Sequence, residues 1–239
     1  MGRRGSWAAR FGRVVLLGWL ASSGVGEAVE VRYAASLLSH YVWRGITLTD
    51  DPVLQPSVSI SHSSGVSFEA WGNVDLGDAN DESGEISEVR LVVDYGHAFG
   101  RFELGGGLIE YLFPNTPYPG TREVYARAGF DALVSPRLEL HYDIDEIEGG
   151  YARLTLAYRR QLGALWSLAV EASAGWADAS FAIGGQAGFH DGDLELDLRR
   201  SAGAFELELS VGHTDTLDSD VLPDQPVKTW FGVRSAYRF

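Results

Sequence analysis

The chain has 239 residues, with 33 acidic against 19 basic side chains, a formal charge of −14 and no cysteine. An acidic surface repels phosphates, which excludes nucleic acid as a partner. Without thiols there is neither a disulfide framework nor a thiolate metal site.

The first element is a leader. Arg3, Arg4, Arg10 and Arg13 precede the apolar run Val14 to Leu20, and small residues follow from Ala21 to Gly26, the order of a secretory signal peptide. Its apolar core is too short to cross about 30 Å of hydrocarbon. Cleavage is expected after Ala28, which leaves residues 29–239 as one domain with 15 basic and 32 acidic residues and a formal charge of −17. No later apolar run is long enough for a spanning helix, so membrane residence after export requires strands.

Period-two alternation runs through nearly all of the remaining chain. Val89, Leu91, Val93 and Tyr95 alternate with Glu88, Arg90 and Asp94. Val124, Ala126, Ala128 and Phe130 alternate with Glu123, Tyr125, Arg127 and Asp131. Next, Leu138, Leu140, Tyr142 and Ile144 interleave with Glu139, His141, Asp143 and Asp145, and Leu154, Leu156 and Tyr158 with Arg153, Thr155 and Arg159. Leu194, Leu196 and Leu198 share a strand with Glu195, Asp197 and Arg199, and Phe205 to Val211 repeats the pattern with Glu206 and Glu208. The chain closes on Phe231, Val233, Tyr237 and Phe239 along one face, with Lys228, Arg234 and Arg238 on the other.

Short links are expected near His62 to Gly65, His97 to Arg101, Val134 to Arg137, Gln161 to Leu165 and Arg200 to Ala204. Longer ones are expected near Gly45 to Pro52, Gly77 to Glu85, Pro114 to Thr121, Asp145 to Gly150, Ala177 to Ala187 and Asp215 to Pro226. A strand from Phe181 to Phe189 would break this alternation of short and long, so that segment is assigned to a loop. A soluble sandwich would also alternate apolar and charged faces. Segments of about ten residues, aromatics towards strand ends such as Trp43, Tyr95, Tyr111, Tyr158, Trp166 and Trp176, and the leader favour a membrane barrel. The expected fold is all-β: a transmembrane antiparallel up-and-down β-barrel of about 12 strands with both termini in the periplasm.

Two resemblances extend this reading. The final strand, with Tyr237 and the terminal Phe239, resembles the closing strand of bacterial outer-membrane barrels, which implies outer-membrane lipid and the barrel assembly machinery as partners. The stretch Tyr41-Val42-Trp43-Arg44-Gly45-Ile46 resembles the Y-V-F/W-R-G-I motif of an uncharacterised proteobacterial family of outer-membrane barrel proteins. That resemblance implies a fold and a cell outer membrane location, and no activity.

If the apolar faces meet lipid, the alternate faces line the lumen. Arg44, Glu88, Arg90, Asp94, Arg127, Glu139, His141, Asp143, Asp145, Arg153, Arg159, Asp197 and Arg199 are among the expected lining, whose full set of nine arginines and fifteen carboxylates leaves an acidic surplus. Arg44 suits a strand end from which it can pair with lumenal carboxylates, and Gly45 permits a sharp bend. Such a lumen is either a narrow passage for small solutes or ions with a mild cation preference, or is filled by its own ion pairs, leaving a structural barrel whose loops meet partners.

Chemistry is less marked. His141, Asp143 and Asp145 are spaced as a polar ladder rather than as a tetrahedral metal site. Ser61-His62-Ser63 and His213-Thr214-Asp215 offer hydrolase residue types at strand ends, but neighbours on a strand point to opposite faces. Gly105-Gly106-Gly107 is expected to relieve crowding inside a strand, and the acidic stretch Asp78 to Glu85 lacks calcium-loop spacing. Glu110, on an otherwise apolar face, is expected beyond the hydrocarbon band. No catalytic residue, metal or cofactor is expected, and an outer-membrane hydrolase with a site at the barrel rim ranks third, behind the passage and the structural barrel.

Overall fold

The computed structural model describes residues 29–77 and 83–239. The expected leader and residues 78–82 of the acidic stretch lie outside the described residues. Fourteen strands follow in order: β1 (Val29–Leu38), β2 (Tyr41–Trp43), β3 (Ile46–Thr49), β4 (Val53–His62), β5 (Val66–Asp75), β6 (Ile86–Phe99), β7 (Phe102–Leu112), β8 (Thr121–Phe130), β9 (Ser135–Asp143), β10 (Gly150–Gln161), β11 (Trp166–Ala177), β12 (Gly188–Ala202), β13 (Phe205–Thr216) and β14 (Thr229–Arg238).

Twelve of them form one closed antiparallel barrel in which each strand pairs with its neighbours in sequence. The ring is completed by β1, which pairs with β14 on one side and β4 on the other. β2 and β3 form a separate two-stranded sheet. The expected fold class and count therefore hold, and Asp178 to Ala187 is a loop. Short turns, Val29 and Phe239 lie at one end, the turn end; long connections lie at the other, the loop end.

The alternation read from sequence decides which side chains face out. Tyr33, Leu37, Ile60, Val93, Leu104, Leu140, Leu154, Leu194, Leu209 and Phe231 are all outward and exposed, while the charged set faces in. That arrangement inverts a soluble sandwich, whose apolar faces would be covered. Twelve strands spaced about 4.8 Å and tilted about 40° give a backbone radius of roughly 12 Å. Side chains alone leave room at the centre of such a ring, and the chain fills part of it with a strand pair.

Three inward glycines create space for large neighbours, as expected for the triple-glycine stretch. A Cβ at Gly105 would lie 2.7 Å from the Arg127 Cζ, and one at Gly107 would lie 2.9 Å from the Tyr125 hydroxyl. Gly96 is likewise covered by the Arg127 guanidinium. Glu110 sits near the loop end on the outward face, where Arg122 of β8 lies directly opposite and donates to it at 2.6 Å.

Two expectations need correction. Gly45 to Pro52 is not an external link, because the chain doubles back there into the β2–β3 hairpin and enters the lumen. Asp145 does not line the lumen: β9 ends at Asp143, so alternation stops, and the exposed Asp145 lies 3.6 Å from Arg122 on the outer side.

Candidate functional site

Trp43 pairs with Ile46, leaving Arg44 and Gly45 as a two-residue turn with φ of 50° and 78°. Positive φ at both positions is the hairpin turn whose twist matches the strands it joins. At Gly45 a side chain is excluded twice, since its Cβ would lie 2.5 Å from the Asp191 Cβ and 3.0 Å from Leu222. Arg44 adopts the left-handed conformation at a cost of about 1–2 kcal/mol. What offsets that cost is the destination of its side chain.

Both terminal nitrogens of Arg44 donate to the Glu123 carboxylate, each at 2.7 Å, and the pair is almost wholly buried. The guanidinium also lies 4.4 Å from the Trp43 ring, 4.7 Å from Tyr151 and 5.3 Å from Phe181. A planar fork meeting a carboxylate edge-on while its faces stack on aromatics is a geometry that lysine lacks.

The rest of the hairpin is held by the same chemistry. The Tyr41 hydroxyl donates to Glu88 at 3.0 Å, and Arg90 bonds both Glu88 and Tyr41 while lying 4.4 Å over the Trp71 ring. The Thr49 hydroxyl donates to Asp75 at 3.0 Å, and Asn73 donates to the same carboxylate at 2.9 Å. Tyr111 adds a bond to Glu123 at 3.0 Å, and His141 stands 3.4 Å from that carboxylate, stacked on Tyr125. Asp143 accepts from Thr121 at 2.7 Å and from two backbone amides of the loop that follows it.

A bulge completes the layer. Ala174 pairs with Gly192 but Trp176 with Phe189, so His190 and Asp191 together oppose Gly175, and both become buried. Asp191 accepts from Tyr151 at 2.9 Å and from Arg153 at 2.8 Å, and the His190 Nδ1 lies 2.9 Å from it. Arg153 also reaches Asp193 at 2.8 Å. Phe181 and Ala182 from one long loop, and Val221 from another, pack down on Tyr151 and Trp43, and the buried Leu222 lies beside Gly45.

At the loop end, inward side chains of every strand from β4 to β13 are thus buried, several with no exposed surface at all. The turn end differs: Arg159 and Glu103 there are 67% and 60% exposed. Between the two lies a polar vestibule. One cavity of about 320 Å³ is lined by Glu69, Trp71, Glu195, Glu208, Trp230 and Arg234. Another, of about 270 Å³, reaches the underside of the hairpin at Val42, Arg44 and Gly45, and a third, of about 460 Å³, runs to the turn-end mouth past Arg159 and Arg199. Glu195 lines all three.

The expected lining residues fall into two groups. Arg44, Glu88, Arg90, His141, Asp143 and Arg153 belong to the sealed layer, Arg44 from the hairpin rather than from a barrel strand. Asp94, Arg127, Glu139, Arg159, Asp197 and Arg199 face the vestibule. There Arg127 pairs with Asp94, Arg159 with Glu171, Arg199 with Glu208 and Arg137 with Glu139. Glu171 and Glu195 lie directly opposite each other across β11 and β12. Sequence reasoning missed Tyr41, Tyr151, Phe181, His190, Asp191 and Leu222; apolar residues inside long Asp- and Gly-rich loops were the signal available for the last group.

Neither hydrolase tripeptide forms a relay. His62 contacts Ser64 at the turn end, and His213 faces outward beside Thr229 while Thr214 is buried inside. Among the described residues, no group of three or more His, Asp or Glu side chains is arranged to hold a metal ion. Tyr237 and Phe239 stack edge to face at 4.7 Å, with Tyr33 of β1 at 5.7 Å from Phe239, on the outward face of the seam.

A family model described as a bacterial protein of unknown function, Gcw_chp, matches residues 22–216. No curated protein sequence matches the chain. Among solved structures, a KdgM porin in complex with disordered oligogalacturonate is similar with a TM-score of 0.58 at 11% identity, over 88% of this chain and 99% of that one. A NanC porin gives 0.55 at 10% identity over 88% and 99%. An outer membrane channel from Pseudomonas putida F1 gives 0.56 at 14% identity over 91% and 97%. At these identities the likeness is one of fold.

Proposed function

Because the chain belongs to the Gcw_chp family of bacterial proteins of unknown function, the family supplies no activity, and we propose one from the geometry: a porin-like outer-membrane barrel whose cation-preferring passage is held shut at the loop end by the β2–β3 hairpin. The carrying observation is that the plug is a sheet of its own. β2 and β3 pair only with each other, so the hairpin can leave the lumen without breaking a ladder bond of the barrel. Side-chain bonds to Glu88, Glu123 and Asp75 hold it, and water can replace each of them once the hairpin moves.

The outward apolar band supports residence in lipid. The expected leader, removed after Ala28, supports export, and Tyr237 and Phe239 remain the proposed signal for the assembly machinery. In the vestibule Glu69, Glu195 and Asp197 have no ion-pair partner among the described residues, against one such arginine, Arg234. Carboxylate-lined passages favour cations. Small cations therefore suit this lumen better than an acidic chain such as the oligogalacturonate of the KdgM complex.

The completeness of the sealed layer favours a second reading, a structural barrel that presents its loops and conducts nothing. Planar-bilayer recordings of the refolded protein and of a variant with residues 40–50 replaced by a short Gly-Ser link separate the two. The passage reading expects rare openings from the first and steady, cation-selective current from the second. A hairpin-free barrel that stays folded and passes no current leaves only the structural barrel.

A further inference from the structure

We propose that the outward face of β10, β11 and β12 at the turn end is a binding site for the phosphate of an anionic membrane phospholipid, grasped by Arg160 and Arg200 on either side of Trp166. The site rests on the membrane reading above but not on conduction.

Placement carries the argument. Along β10 the inward Arg159 pairs with Glu171, so the next residue, Arg160, points outward; along β12 the inward Arg199 pairs with Glu208, so Arg200 points outward. Arg160 lies opposite Leu168 and Arg200 opposite Trp166, both on the β11 strand between them. Two strand spacings and one outward step separate the arginines, about 10 Å across the sheet and about 7 Å along it. Extended arginine side chains span that separation.

Neither guanidinium has a hydrogen bond, ion pair or ring contact among the described residues. Outward charges at the loop end behave otherwise: Arg122 is matched by Glu110 and Asp145, and Asp215 by Lys228. Nor does any described outward strand position at the turn end carry a carboxylate side chain. A lipid-facing guanidinium without a protein partner requires an anion where the apolar band meets the headgroups. Arginine binds phosphate as a fork, and the half-exposed Trp166 indole suits the same depth. Since Tyr158, Val170 and Leu196 occupy the next outward level above both arginines towards mid-membrane, the acyl chains have an apolar wall to follow.

The test is native mass spectrometry of the full-length barrel released from nanodiscs of phosphatidylcholine doped with phosphatidylglycerol. The wild type is expected to retain phosphatidylglycerol selectively. R160Q/R200Q should lose that retention by about thirty-fold and each single variant by about fivefold, the strength of one guanidinium at an anionic membrane surface. R101Q is the control, because Arg101 lies at the same end but stacks on Phe130 at 4.9 Å. Equal loss from R101Q would mean diffuse charge and overturn the site, as would retention unchanged in the double variant. Competition by millimolar inorganic phosphate would assign the arginines to a free anion and overturn the lipid. Insertion without lipid preference refutes this proposal alone, whereas failure to insert into either bilayer refutes the membrane reading as well.

Discussion

Replacing Arg44 by alanine should open the lumen. The change removes two 2.7 Å bonds to a carboxylate that is 2% exposed, together with the contacts to Trp43, Tyr151 and Phe181. Breaking one side of a buried pair costs about 3–5 kcal/mol, because the partner keeps its charge out of water. In the plugged state Glu123 retains only Tyr111 and the nearby His141, while in the open state it is hydrated. At about 1.4 kcal/mol per tenfold, the closed-to-open ratio should fall by roughly two to three and a half orders of magnitude. The assay is single-channel recording, with far-UV circular dichroism and heat-dependent electrophoretic mobility to show that the barrel remains intact. R44K should be intermediate, since an ammonium keeps the charge but not the fork. R44A/E123Q should open less than R44A because it leaves no orphaned charge. A folded R44A barrel with wild-type conductance would refute the latch.

Asp191→Asn weakens the bonds to Arg153, Tyr151 and His190 in a fully buried site and should lower stability by about 2–4 kcal/mol, read as an earlier urea midpoint in detergent. Gly105→Ala places a methyl 2.7 Å from the Arg127 Cζ and 2.9 Å from the Tyr95 carbonyl oxygen, and should cost about 1–3 kcal/mol by the same measurement. In the hairpin-free barrel, Glu69→Gln with Glu195→Gln should move the reversal potential in a salt gradient towards zero; an unchanged potential would remove these carboxylates from the selectivity argument.

The barrel was legible because its information is local: a period of two, with polar residues on one face, specifies a strand and its sidedness without reference to any other strand. Link lengths then set the count, and the Phe181 to Phe189 segment fell on the right side of that choice. The plug was not legible for the opposite reason. Arg44 and Glu123 are 79 residues apart, and nothing in Tyr41 to Thr49 distinguishes a hairpin that folds inward from one that extends outward. Asp145 was misplaced because alternation was carried past the end of β9. His190 and Asp191 were hidden by a bulge, which breaks the period where the sequence shows no interruption.

The seam between β1 and β14 joins the earliest and latest segments of the barrel wall. The hairpin is attached beside that seam, between β1 and β4, yet its anchors Glu123, Asp191 and Leu222 come far later in the chain. Without the final strand the wall is an open trough, because β1 then lacks its β14 partner. Closure and plugging are therefore separable: the side chains that hold the hairpin all precede β14, so losing the last strand opens the wall without removing any of those partners.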